Sequence, residues 1–547
     1  MASFELVPDL LHPEPLTRID FGATKLAVGF AFASGVSGGL FGDALERAAV
    51  APSTWEPGFF TNDLFLQSFV THCFKVRTGN RDHTVSTAHL VGLLAHPPSD
   101  PAIVHHRRAI LGELSTSVTL RRELERLYTL LCRLRVLLEG ATEGRSWDPN
   151  RRQLDILRVV KEVIECMADG FPGATSGLAR LGAFGLRARA GEPFQSLTDL
   201  LSFDENRATV GLEVGVGADG TIRGFRITSV RQNESNPFVT SSWRRWLAKL
   251  ELFARGYRFG DGEVMARLID AVFDGVHDDM VRLVQLFGDL ELYLGALGFL
   301  DVARGAGLDV CLPELVAPSE PRSLRGLFNP LLLSMGGKVV PCDLELDRHT
   351  ATTLVTGPNS GGKTRLLQAV GLAQLLAQSG LFVPARSGTL SLCPGLVMSL
   401  IQETKPDQAE GRLGMELVRI RSLFERLPPG AMVILDELCS GTNPSEGEEI
   451  FELVVGMLTR LAPQAFITTH FLAFASRLER ERKIPDLRFL QVELGDNQEP
   501  TYQFVPGVAR TSLAGHAAAR LGVTAEQLLG LIERNVKQAR ASGRPRS

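Results

Sequence analysis

The chain has 547 residues, a formal net charge of −4, and 44% hydrophobic and 22% charged residues. This length exceeds that of one ordinary domain, and the composition is that of a globular protein, which excludes a disordered chain. Because the net charge is slightly negative, any contact with nucleic acid must come from local basic patches. The start of the sequence lacks the basic lead-in of a signal peptide, so we expect a soluble, cytoplasmic protein without a membrane span.

The first half of the sequence is typical of long amphipathic helices. Leucines recur at alternating spacings of four and three residues, which places them on one stripe of a helix. These leucines are Leu120, Leu124, Leu127, Leu131, Leu134 and Leu138. Further helices are predicted from about Leu154 to Met167 and from about Glu263 to Val302, and alternation around an Asp-Gly turn predicts a β-hairpin near 208–230. We expect a mainly helical core and lever region over 1–320 that carries this small β-hairpin insertion.

In the second half, predicted strands alternate with predicted helices. Three β-branched or apolar runs are the strands, namely Thr352–Thr356, Ala431–Leu435 and Ala465–Thr469. Helices are predicted to begin at Lys363 and near Ser445. This order indicates an α/β domain with a largely parallel sheet, which we place at 321–510. The residues after it, 511–547, are predicted to form C-terminal helices, over Ala514–Leu521 and Ala525–Ile532, and a basic tail.

A glycine-rich segment directly after the first of these strands matches the phosphate-loop (P-loop) pattern G-x4-G-K-[ST]. Its residues are Gly357, Pro358, Asn359, Ser360, Gly361, Gly362, Lys363 and Thr364. Glycines allow backbone N–H groups to point at phosphates, and the dipole of the following helix adds to the attraction. We predict that the loop binds ATP, that Lys363 bridges the β- and γ-phosphates, and that the Thr364 hydroxyl binds Mg²⁺. An ordinary glycine-rich turn with an incidental lysine would not explain the strand and helix that flank it.

Two acidic residues follow the second strand, and a histidine follows the third. Ligands bind at the carboxyl ends of the strands in open α/β sheets, so these side chains are predicted to face the phosphate loop. Asp436 is expected to complete the Mg²⁺ site, and Glu437 to polarise the attacking water. We interpret His470 as a sensor of the γ-phosphate, although a lone histidine is more often structural.

Together these residues resemble the MutS family, within the wider ATP-binding-cassette type of P-loop ATPase. The Pro-Asn pair of the loop is the most specific feature. Other segments that are similar to family motifs are Asn329–Leu332, Gly380–Ala385, Asp436–Gly447 and Ile467–His470, and the match extends over about 327–531. The resemblance implies an ATP- and Mg²⁺-dependent ATPase that forms a homodimer through its ATPase domains and acts on DNA.

Some positions depart from the family pattern. Val339 stands where the family has an aromatic that stacks on adenine, and the signature segment 411–416 contains no serine. We therefore expect the loop 441–447, and Asn443 in particular, to contact the nucleotide held by the opposite subunit. We also expect the chain to lack the family's mismatch-sensing domain. The sequence of the 441–447 loop is similar to that of a bacterial paralogue group whose members end in an Smr nuclease domain. We expect this chain to lack that domain as well.

Basic patches in the sequence do not identify a substrate. Trp243–Trp246, Arg255 and Arg258 interleave aromatic residues with arginines, as either a nucleic-acid surface or an amphipathic helix does. The basic tail after Arg534 is compatible with nonspecific phosphate contacts.

Three functions remain open at this point. The first is a MutS-type ATPase that acts on DNA in mismatch-repair-like or recombination-related processing and selects DNA structures rather than mismatches. The second is an ATPase of the same family that is associated with RNA or the ribosome. The third, the ATPase subunit of a membrane transporter, fits poorly because the predicted helical arms are fused to the ATPase domain.

Overall fold

The structure is a computed structural model of the chain. It describes residues 7–34, 37–140, 149–204, 208–216, 222–232, 261–336, 339–358, 360–400, 412–438, 443–496, 498–510 and 523–541. These residues divide into two compact units. The helical unit contains the described parts of Met1–Ser53, Leu66–Ala306 and Gln378–Phe382, and the sheet unit contains those of Thr54–Phe65, Gly307–Ala377 and Val383–Ser547. The predicted domain limits at 320 and 510 stay predictions.

The helical unit consists mainly of helices. They are α1 (Phe21–Ser34), α2 (Leu40–Glu46), α3 (Leu66–Cys73), α4 (Thr87–Ala95), α5 (Pro101–Thr116), α6 (Val118–Glu139), α7 (Pro149–Gly170), α8 (Ala179–Ala190), α9 (Glu192–Asp204) and α10 (Asp261–Gly305). Two antiparallel hairpins accompany them, β1 (Val76–Thr78) with β2 (Arg81–His83), and β3 (Ala208–Val216) with β4 (Ile222–Gln232). The predicted hairpin near 208–230 is therefore present, and its Asp-Gly turn lies outside the described residues.

The predicted leucine stripe lies on α6. All six leucines are buried, and α6 packs against α7 and α10. The hydroxyl of Ser117 accepts a hydrogen bond from the backbone N–H of Leu120 and so caps the first turn of the helix. The apolar stripe and the cap together explain why this segment is helical.

Helix α10 forms the core of the helical unit. Its stretch Met265–Gly305 is long and apolar enough to cross a membrane, but its most apolar window is 100% buried within the protein, and core helices of soluble proteins meet the same criterion. A Cβ at Gly298 would lie 1.8 Å from the carbonyl oxygen of Lys75, so the chain entering β1 lies directly against the backbone of α10. Glycine is needed at this position because no side chain fits.

The sheet unit contains ten described strands. They are β5 (Glu314–Leu315), β6 (Arg322–Leu327), β7 (Cys342–Leu346), β8 (Thr352–Thr356), β9 (Ser387–Leu390), β10 (Leu396–Ser399), β11 (Met432–Leu435), β12 (Gln464–Thr468), β13 (Leu487–Leu494) and β14 (Pro500–Pro506). Its helices are α11 (Lys363–Gln378), α12 (Arg412–Arg426), α13 (Pro444–Leu458), α14 (Leu472–Glu481) and α15 (Ala525–Ala541), with short 3₁₀ turns at Pro57–Phe59, Pro330–Met335 and Thr459–Leu461.

Two sheets organise this unit. The larger sheet has the strand order β10-β11-β12-β8-β13-β14, and the smaller has the order β5-β9-β6-β7. In the larger sheet, neighbouring strands from β10 to β13 are parallel, and β14 pairs antiparallel with β13. The predicted α/β domain with a largely parallel sheet is confirmed.

The central strands β8, β11 and β12 are buried along their whole length. Such continuous burial is typical of parallel strands that are covered on both faces. One face packs on α13 and α14, where Phe451 and Phe474 join Leu354, Val433 and Ile467 in a single apolar cluster. Pairing aligns Leu435 with Ile467, and Thr468 with Val355. The three strands therefore end at the same edge of the sheet, and this edge carries the candidate site.

Candidate nucleotide site

The loop between β8 and α11 depends on glycine. Gly357 and Gly362 have φ angles of 135° and 83°, which side chains rarely adopt. A Cβ at Gly357 would lie 2.6 Å from Cγ2 of Val492, and one at Gly361 would lie 2.8 Å from the same atom. The strand, glycine-rich loop and helix predicted from the sequence thus follow one another here, with β13 directly beside the loop. Asn359, a predicted member of the loop, lies outside the described residues.

Lys363 is the first residue of α11, and its ammonium group closes the loop. Its Nζ donates to the carbonyl oxygens of Gly357, at 2.8 Å, and Pro358, at 3.1 Å. Burial lowers the pKa of Lys363, and the nearby carboxylates of Glu437 and Asp436 oppose this shift. A desolvated ammonium attracts polyphosphate more strongly than a hydrated one, because its charge is less screened.

Two hydroxyl groups hold the carboxylate of Asp436 at the end of β11. Thr364 Oγ1 donates to its Oδ2 at 2.6 Å, and Thr468 Oγ1 donates to its Oδ1. The backbone N–H of Asp436 donates to the carbonyl oxygen of Ser399 at 2.9 Å. The structure therefore brings two of the predicted site residues, Asp436 and Thr364, together and adds Thr468 as a second partner of Asp436.

The pair formed by Thr364 and Asp436 fits a magnesium ion. Mg²⁺ prefers oxygen ligands, keeps several waters, and is usually held by one or two carboxylates together with substrate phosphates. Across the described ranges, no group of three or more His, Cys, Asp or Glu residues is arranged to hold a metal ion. At this edge, Thr364 and Asp436 would hold an ion together with the phosphates of a nucleotide.

Glu437 has an unusual backbone conformation. Its φ angle is 50°, in the left-handed region that non-glycine residues seldom adopt, and its backbone N–H donates to Thr468 Oγ1 at 2.8 Å. Strained residues of this kind cluster at functional sites, where the surrounding structure holds them. Glu437 is half-buried, and its carboxylate lies close enough to Lys363 to affect the pKa of the lysine.

His470 lies at the same edge, two residues after the end of β12. It is exposed, and its imidazole ring packs against the ring of Phe471 with the centroids 4.2 Å apart. Within the described part of the chain, no hydrogen bond joins this imidazole to the phosphate loop. The role of His470 as a γ-phosphate sensor stays a prediction.

Asn443 has a local role in the structure. Its side-chain oxygen accepts from the backbone N–H of Ser445 at 3.3 Å and from the Ser445 hydroxyl at 3.2 Å, which caps α13. Asn443 is exposed, so the cap leaves it accessible. Its predicted contact with a nucleotide of the opposite subunit stays a prediction, and positions 441 and 442 lie outside the described residues.

Three residues beside the loop were not predicted from the sequence. Thr468 joins the two acids, Val492 packs against the loop glycines, and a Tyr502 ring carbon lies 3.2 Å from the position of a Cβ on Gly362. The sequence feature that could have identified Thr468 is a hydroxyl residue at the carboxyl end of an otherwise apolar strand. Val492 and Tyr502 carry no local signal, because the pairing of β13 with β8 brings Val492 to the loop and the pairing of β14 with β13 brings Tyr502 there.

Several predicted features fall outside the described residues. They include the aromatic and arginine patch at 243–258, position 411 of the signature segment, the predicted helix at 514–521 and the tail residues Arg544 and Arg546. Among the described residues, the predicted helix from Ala525 is present as α15. The basic residues Arg534 and Lys537 are exposed on this helix.

Known proteins are similar to part of this chain. A family model described as MutS domain V matches residues 353–542. The endonuclease MutS2 of Thermomicrobium roseum is 32% identical over 275 residues, which cover 46% of this chain and 33% of that protein. The endonuclease MutS2 of Anaeromyxobacter sp. is 30% identical over 266 residues, which cover 45% of this chain and 32% of that protein. The endonuclease MutS2 of Pelotomaculum thermopropionicum is 30% identical over 287 residues, which cover 48% of this chain and 36% of that protein. The chain thus spans about a third of the length of these curated relatives.

Proposed function

The chain is a member of the MutS family with a C-terminal ATPase domain, and we propose that it binds and hydrolyses ATP with Mg²⁺ at the loop 357–364. One observation carries this proposal. The carboxylate of Asp436 accepts a hydrogen bond from Thr364 beside the buried ammonium of Lys363. A hydroxyl, a carboxylate and a lysine next to a glycine-rich loop form the set of groups that binds the phosphates of a nucleotide together with Mg²⁺.

Lys363 has the first role in the proposed mechanism. Its Nζ exchanges the carbonyl oxygens of Gly357 and Pro358 for oxygens of the β- and γ-phosphates. The exchange is favourable because a buried ammonium gains more from anionic oxygens than from neutral carbonyls. Mg²⁺, held by Thr364 and Asp436, supplies charge neutralisation at the phosphates when it is bound.

Glu437 is the acid that is available to the attacking water. Both carboxylate oxygens of Asp436 accept hydrogen bonds from hydroxyl groups, whereas those of Glu437 accept none from the side chains that the structure describes. We therefore assign Glu437 as the group that orients the water and accepts its proton. His470, at the same edge, is proposed to contact the γ-phosphate.

The proposed macromolecular substrate is DNA, recognised by its structure rather than by mismatched bases. The support is family membership and similarity to the MutS2 proteins. The word endonuclease in their names describes whole proteins of which the match covers about a third. RNA or a ribosome is the alternative partner, and the ATPase rate with different nucleic acids distinguishes the two.

A homodimer through the ATPase domains, in the cytoplasm, completes the proposal. The described site residues all lie at one edge of the sheet, so a bound γ-phosphate is accessible from the far side, where a second subunit can close the site. The exposed position of Asn443 is compatible with such a contact.

Sedimentation at micromolar concentration should show a dimer that tightens with a nonhydrolysable ATP analogue. A monomer under both conditions would contradict it.

Variants of the two proposed catalytic residues test the chemistry. Lys363→Ala should weaken binding of a fluorescent ATP analogue at least about tenfold, because the variant loses the charge that faces the phosphates. Glu437→Gln should bind ATP like the wild type and hydrolyse it about a hundredfold more slowly, because it loses the proton acceptor. The exposed residues Lys483 and Glu425 supply matched controls, and Lys483→Ala and Glu425→Gln should bind and hydrolyse normally. Hydrolysis at the wild-type rate by Glu437→Gln would show that the proton acceptor is misassigned, and a wild-type protein that hydrolyses no ATP would refute the proposed function.

The ATPase rate in the presence of different nucleic acids tests the choice of substrate. Branched DNA should stimulate hydrolysis more than matched duplex, and a single mismatch should change affinity by less than about tenfold, or 1.4 kcal/mol. Binding should also weaken as salt increases, because arginine and lysine contacts to phosphate release counterions. Stimulation by RNA or ribosomes but not by DNA would favour the alternative partner.

A further inference from the structure

Thr468 is the last residue of β12, and it contacts both acids of the site. Its side chain is fully buried. The hydroxyl donates its proton to Oδ1 of Asp436 and accepts from the backbone N–H of Glu437, at an N···O distance of 2.8 Å. A hydroxyl has one proton to donate, and an amide can only donate. The direction of both hydrogen bonds is therefore fixed, and a single side chain joins the two consecutive acids.

Each of the two bonds restricts a different movement. The bond to Oδ1 orients the Asp436 carboxylate so that Oδ2 faces the Thr364 hydroxyl, 2.6 Å away. The bond from the Glu437 amide helps to hold that residue at a φ of 50°. Without the Thr468 hydroxyl, the Asp436 carboxylate loses one of the two hydroxyl partners that orient it, and the left-handed backbone of Glu437 loses a bond that opposes its relaxation.

We infer that Thr468 is a positioning residue for ATP hydrolysis, whose hydroxyl sets the orientation of Asp436 towards Mg²⁺ and of Glu437 towards the attacking water. This inference rests on the proposed function. Neighbouring threonines of the sheet show that the arrangement is specific. The Thr356 hydroxyl donates to the carbonyl oxygen of Leu490, and that of Thr469 accepts from the amide of Phe471. Among the residues that the structure describes, neither hydroxyl bonds to an acidic side chain.

Thr353 provides a matched control. It is a buried threonine in β8 of the same sheet, and its hydroxyl has no hydrogen-bond partner among the described residues. Replacing threonine by valine keeps the volume and removes the hydroxyl at either position. Thr353→Val therefore measures the effect of the substitution itself, and Thr468→Val adds the loss of the two hydrogen bonds. Thr468→Ser keeps the hydroxyl and serves as the conservative variant.

Hydrolysis and metal dependence provide the first test. Thr468→Val should lower kcat about tenfold or more, which is the range for losing a hydrogen bond to a charged group. It should also raise the Mg²⁺ concentration needed for half-maximal binding of a fluorescent ATP analogue, while KM for ATP at saturating Mg²⁺ changes little. Thr468→Ser and Thr353→Val should both stay close to the wild type in the two measurements. A purely structural role would leave the Mg²⁺ dependence of the folded variant unchanged.

Amide hydrogen exchange provides a second test, in protein free of nucleotide and metal. The amide of Glu437 should exchange faster in Thr468→Val than in the wild type, Thr468→Ser or Thr353→Val, because it loses its acceptor. Thermal melting checks that each variant is folded, and if Thr468→Val is not, Thr468→Ala is compared with Thr468→Ser in the same assays.

Two outcomes separate this inference from the proposed function. Wild-type kcat, Mg²⁺ dependence and exchange in Thr468→Val would overturn the positioning role and leave the ATPase proposal intact. A wild-type protein without ATPase activity would overturn the proposed function. The exchange of the Glu437 amide and the Mg²⁺ dependence of nucleotide binding would still show whether Thr468 positions the acids.

Discussion

The carboxylate of Asp436 is held by two hydroxyl groups from two other elements of the fold, and the candidate site depends on this constraint. Thr364 reaches it from the first turn of α11, and Thr468 reaches it from the end of β12. Both hydroxyls lie within hydrogen-bond distance of Asp436 because β8, β11 and β12 are parallel and end at the same edge of the sheet. The strands are fully buried, so rigid elements position the loop and the acids that follow them.

Close packing on the other side of the loop completes this arrangement. Val492 of β13 lies where a side chain at Gly357 or Gly361 would need to be, and Tyr502 of β14 lies beside Gly362. The glycines therefore serve two purposes, since they permit positive φ angles and also allow a neighbouring strand to approach the loop. A loop held in this way presents its backbone N–H groups to a ligand without a large loss of entropy on binding.

Much of this architecture could be predicted from the sequence because its signals are local. A β-branched run, a glycine-rich loop and a helix occur in one short segment, and Thr352–Thr356 and the start of α11 at Lys363 are as predicted. Thr468, Val492 and Tyr502 could not be placed, since their roles arise from strand pairing between distant segments. The sequence at Asn443 is compatible with two roles, a contact with the nucleotide of the opposite subunit and a helix cap. An asparagine before a proline is typical of a cap, and the structure shows that cap.

A crystal structure of Glu437→Gln with ATP and Mg²⁺ would test the proposed nucleotide site most directly. We expect the metal within about 2.0–2.1 Å of Thr364 Oγ1, the distance typical of Mg²⁺ and oxygen. Lys363 Nζ should have moved from the carbonyl oxygens of Gly357 and Pro358 to the phosphates, with Thr468 still bonded to Asp436. A nucleotide bound away from the 357–364 loop, or a metal held by residues other than Thr364 and Asp436, would contradict the proposed site.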